Sequence, residues 1–70
     1  MILSDSDRSI VVDVIKRARK GEDVIDEATE LRKVLLDQYG VEVLDKGLSE
    51  LFKEMNIREN FYYSRLLRVI

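Results

Sequence analysis

Catalysis and metal binding begin with a few residue types, and this sequence is short of them. It has no His and no Cys. The commonest general base and zinc ligand is therefore missing, as is any thiolate nucleophile or disulfide. Serines 4, 6, 9, 49 and 64 have no imidazole to activate them. Carboxylates do pair at helical spacing, Asp23 with Glu27 and Glu50 with Glu54. Such pairs can exchange protons or hold a divalent cation. Here they fall on solvent faces of expected helices, and a chain of 70 residues has little room for a buried site. The glycines stand 19 and 7 residues apart, which matches no phosphate or dinucleotide loop. We therefore expect no enzyme, no cofactor and no metal.

Basic residues offer other chemistry. KRARK, residues 16–20, carries four positive charges. Lys16, Arg17, Arg19 and Lys20, joined by Lys46 and Lys53, are the candidates for phosphate contact. The segment that follows, EDVIDEATE, carries five acids and no base. Cations suit the last turn of a helix and anions the first turn of the next. The two blocks should then face each other across Gly21 and largely cancel, whereas a nucleic-acid surface favours an unbroken basic field.

Near the end of the sequence Arg58, Phe61, Arg65 and Arg68 project onto one helical stripe, and no acid follows Glu59. An aromatic among arginines can meet carboxylates, phosphates or an acidic protein surface. We take this stripe as the candidate partner-binding surface. Tyr62, Tyr63, Leu66, Leu67 and Ile70 lie on the opposite arc and are assigned to the core or a dimer seam.

These side chains must be positioned by helices. Hydrophobic residues are 46% and charged residues 37%, a globular balance. Proline is absent, and Gly21, Gly40 and Gly47 punctuate the chain. The first helix is expected from about Asp5 to Lys20, capped by Ser4 and closed by Gly21, with Ile10, Val11, Val14, Ile15 and Ala18 inward. The second runs from about Val24 to Tyr39, capped by Asp23 or Asp26, with Val24, Ala28, Leu31, Leu35 and Tyr39 as its stripe, flanked by Ile25 and Val34. The stretch GVEVLDKG is left open between a short extended piece and a turn. Asp45 is then the expected cap of a third helix, with Gly47 in its first turn and Leu48, Leu51, Phe52 and Met55 inward. Asn56 and Glu59 have capping-box spacing for a fourth helix running from Ile57 to Ile70.

The expected fold is all-α: a single domain over 1–70, a compact bundle of three to four short helices. No apolar run reaches the roughly 18 residues of a membrane span. MILSDSDRS lacks the basic start of a secretory signal, so a cytoplasmic protein is expected. So short a chain buries only about 60% of its unfolded surface, and without disulfide or metal a partner chain is the available reinforcement. The apolar LLRVI points the same way, toward a homodimer.

Two stretches of the chain resemble known helical units. Residues 29–55 resemble a helix-turn-helix, with Leu31, Leu35, Val41, Leu48 and Leu51 as core positions and a turn longer than the compact form. That resemblance implies a DNA-binding regulator reading through Asp45–Met55. The exposed positions of that helix, Lys46, Ser49, Glu50, Lys53 and Glu54, are close to neutral, unlike base-reading helices. LSELFKEMNIRENFY is similar to the helical segment of phycobilisome-degradation adaptors, without a residue role to carry over. The function expected is a non-enzymatic regulatory or adaptor protein that binds another protein as a homodimer. A DNA-binding helix-turn-helix regulator is the alternative.

Overall fold

In the computed structural model, residues 2–56 are described; they form three α-helices and no strand. Helix α1 spans Asp5–Arg19. Ser4 begins it as expected, with extended backbone and its Oγ accepting the Asp7 N–H at 3.2 Å. Its other end closes on Gly21, whose φ of 94° is open to glycine. The Gly21 N–H donates to Ala18 O and the Glu22 N–H to Arg17 O, the paired bonds of a Schellman end.

Helix α2 spans Ile25–Tyr39. The cap position belongs to Val24, which is buried and offers no side-chain bond. Asp23 does part of the expected work by accepting the Ile25 N–H at 3.2 Å, while Asp26 lies inside the first turn. Burying Val24 fixes the entry of the helix in place of a polar cap.

The largest difference from expectation is helix α3, which spans Val41–Glu54. Gly40 alone separates it from α2. Its N–H closes α2 on Leu36 O, and its carbonyl accepts the first bond of α3 from the Leu44 N–H. Its φ of 82° and ψ of 165° make this one-residue corner possible. Residues 41–45 are therefore helical, and Asp45 sits in the second turn instead of capping. The physical reason is burial. Leu44, Gly47, Leu48, Leu51 and Phe52 follow one helical stripe, and Leu44 is fully buried only if the helix starts upstream of it. The connection is also shorter, not longer, than the 3–4-residue turn of a compact helix-turn-helix.

Asn56 follows α3 with φ of 56° and donates its N–H to Lys53 O. That left-handed backbone finishes α3 and is not the extended backbone of an N-cap. The expected fourth helix, residues 57–70, lies outside the described residues.

The core joins all three helices. Val11, Val14 and Ile15 of α1 meet Val24, Ala28 and Leu35, and Leu44, Leu48, Leu51 and Phe52 of α3. Leu31, Tyr39, Ala18 and Met55 pack at its edge. Ile10, Ile25, Val34 and Val41 are exposed, although the sequence pattern placed Ile10 and Val41 inward. Leu3, ahead of α1, is buried as well and lies over Gly47. A Cβ at position 47 would stand 3.0 Å from Leu3 Cγ, so the missing side chain is what lets the N-terminal segment seat on α3.

Candidate functional site

The contact stripe of Arg58, Phe61, Arg65 and Arg68, and the seam residues Tyr62, Tyr63, Leu66, Leu67 and Ile70, lie outside the described residues. What the structure places is the rest of the charged surface.

Arg17, one of the candidate phosphate contacts, is engaged within the molecule. Its guanidinium bonds Asp13 one turn back at 3.0 Å, lies 3.9 Å from Glu22, and donates to Glu27 on α2. The bond to Glu27 raises the Arg17 pKa above its ordinary value, with the neighbouring carboxylates adding to the effect. The same bond lowers the Glu27 carboxyl below its ordinary value. The basic end of α1 and the acidic start of α2 thus meet across Gly21, as the charge pattern suggests.

The remaining basic candidates are not gathered into one patch. Lys16, Arg19 and Lys20 are exposed at the C-terminal end of α1. Lys53 neighbours Glu54, which accepts a 2.6 Å bond from Arg8 near the opposite end of α1. Lys46 is exposed on α3, two turns before Lys53.

Three of the four paired carboxylates are likewise occupied. Asp23 takes the Ile25 N–H and Glu27 takes Arg17. Glu50 and Glu54 border a shallow groove with Leu3, Arg8 and Leu51, and Glu54 is held by Arg8. Among the described residues no three potential metal ligands converge, and no polar or charged residue is buried. A desolvated titratable group in a cleft, the usual mark of a catalytic site, is not among them.

Sequence reasoning missed one polar node. The Tyr39 hydroxyl donates to Asp7 Oδ2 at 2.5 Å and accepts the Ser4 N–H at 3.1 Å. The Gln38 amide also donates to Asp7 Oδ2, at 3.2 Å. This node ties the start of α1 to the end of α2. Together with Arg17–Glu27 it fixes the two helices antiparallel. A tyrosine closing an apolar stripe, where a leucine would bury more cleanly, was its one signal in the sequence.

No protein family model, no curated protein and no solved structure matches this chain. None of the described helices is long and apolar enough to cross a membrane.

Proposed function

We propose that this chain is a small non-enzymatic regulatory or adaptor protein of the cytoplasm, which binds another protein and acts as a homodimer. The contact surface is the stripe of Arg58, Phe61, Arg65 and Arg68. One observation carries the reading: the unequal distribution of recognition chemistry along the chain. Three of the five aromatic residues are Phe61, Tyr62 and Tyr63, and the arginines Arg58, Arg65 and Arg68 surround them. Elsewhere Arg17 is committed to acids of its own chain, and the exposed lysines are dispersed. Aromatic and arginine side chains are the usual anchors of protein interfaces.

The test is capture of partners by the tagged full chain, compared with the double variant Arg65→Glu, Arg68→Glu. Partner retention should be lost in the variant while its helical circular dichroism is kept. Retention by the variant refutes the assignment. DNA binding is measured alongside. A DNA-binding regulator would bind duplex DNA with an affinity that falls steeply with salt, because phosphate contacts release counterions.

A further inference from the structure

The ties between α1 and α2 frame an uncovered apolar strip. Ile10 lies three residues beyond Asp7, and Val34 lies four before Gln38, so the two stand opposite each other one turn inside the Asp7–Gln38 bond. Arg17 and Glu27 close the strip seven residues further along each helix. Ile10 is 46% and Val34 59% exposed, although both face along a seam whose floor, Val14 and Leu35, is fully buried. The rim is acidic. Asp13 follows Ile10 by one turn, and Glu30 and Asp37 flank Val34 by one turn on either side, all exposed. The cations beside this rim are already paired within the chain, Arg17 with Asp13 and Glu27, and Lys33 with Glu30 at 3.7 Å, and Asp37 adds to the acidic excess.

An apolar strip inside an acidic rim fits an apolar segment carrying cations. The chain contains one. Of its 12 basic and 14 acidic residues, Arg58, Arg65, Arg68 and Glu59 fall in residues 57–70. That leaves residues 1–56 at −4 and gives residues 57–70 a charge of +2. The point of exit from α3 argues for another molecule. Glu54, the last residue of α3, is bonded to Arg8. Arg8 precedes Ile10 by two residues, about 200° around the helix, so α3 ends against the far side of α1 from the strip. A segment docking on its own molecule must wrap around α1, whereas a segment from a second molecule need not.

We infer that residues 57–70 of a second copy dock on the Ile10–Val34 strip, their net positive charge matched by the acidic excess of Asp13, Glu30 and Asp37. Reciprocal exchange gives a closed two-fold dimer in which each copy supplies one segment and one face. The inference deepens the homodimer part of the proposed function by naming the surface that receives the C-terminal segment.

The experiment uses the full chain and measures solution mass by light scattering, with circular dichroism as the folding control. Val34→Glu and the pair Arg65→Glu, Arg68→Glu should each weaken self-association by tenfold or more. Mixing the two variants should restore association, since one retains the segment and the other the face. A segment docked on its own molecule would give no such recovery. Glu30→Lys with Asp37→Lys should also dissociate the dimer, and adding Arg65→Glu and Arg68→Glu to it should restore dimerisation. A monomeric wild type, or a mixture that stays monomeric, overturns the inference. So does a dimer indifferent to Val34→Glu; that outcome leaves the adaptor reading standing if partner capture still depends on Arg65 and Arg68.

Discussion

Two glycines show how differently one residue type acts. Gly40 has open space around its Cα, so any cost of a side chain there is conformational. Gly40→Ala should destabilise the fold by about 1–3 kcal/mol through its positive φ alone. Gly47 has ordinary helical backbone but lies against Leu3, so its cost is steric. Gly47→Ala should cost about 1 kcal/mol, overpacking being partly offset by better helix propensity. In a Leu3→Ala background the two closest contacts are gone and Ile2 Cγ2 remains at 3.3 Å, so most of the cost of Gly47→Ala should disappear. Urea denaturation of the four-member cycle measures both effects, and a Gly47→Ala cost that persists without Leu3 would contradict the steric account. The sequence marked all three glycines as punctuation. It did not distinguish the one that turns the chain from the one that admits a neighbour, because the neighbour is distant in sequence.

At the scale of elements, α1 and α2 were legible because caps, charge and apolar period agree. Ser4, Asp5 and Asp7 open α1, and the basic turn with Gly21 closes it. The start of α3 was not legible. Val41 and Val43 are β-branched and exposed, and Gly47 looks like an early break, so local propensity opposes the helix that burial of Leu44 requires. The ties between helices divide in the same way. Arg17 and Glu27 are close in sequence, and their opposite charges announce the contact. Tyr39 and Asp7 are 32 residues apart, and nothing local announces theirs. Tyr39→Phe removes the hydroxyl from both Asp7 and the Ser4 N–H. It should cost about 1 kcal/mol by thermal or urea unfolding. No loss would mean that water replaces the hydroxyl without penalty.

The Arg17–Glu27 tie carries a pH signature. Folding lowers the Glu27 pKa, so its contribution is fully present above the ordinary glutamate value and is lost as pH falls through the lowered one. Glu27→Gln should therefore reduce stability slightly at neutral pH. The difference from wild type should close on acidification. Glu27 is exposed and Arg17 is only half-buried, so added salt should shrink it too. A wild-type advantage that persists well below the carboxylate range would contradict this assignment.

At the scale of the molecule, the described residues share one core cluster of eleven buried apolar side chains, drawn from three short helices and the segments that lead into α1 and α2. Small domains of this kind have thin stability margins, and one or two kcal/mol from a partner chain matters to them. The all-α bundle was readable from composition and period. The arrangement of its charged surface was not, because a helical pattern gives the face of a charge but not the helix end that meets it. The six basic candidates illustrate this. They looked like one set in the sequence, yet Arg17 is spent on acids and Lys53 stands toward the other end of α1 from Lys16 and Lys20. The apolar strip at Ile10 and Val34 was hidden for the opposite reason. In the sequence Ile10 looks like core and Val34 like a core flank, until the register of α1 on α2 leaves both uncovered.

Self-association through residues 57–70 is best tested by sedimentation equilibrium of the unmodified 70-residue chain over a wide concentration range. The expected result is a mass of twice 8.2 kDa that gives way to the single-chain mass on dilution. A single-chain mass at every concentration would contradict it.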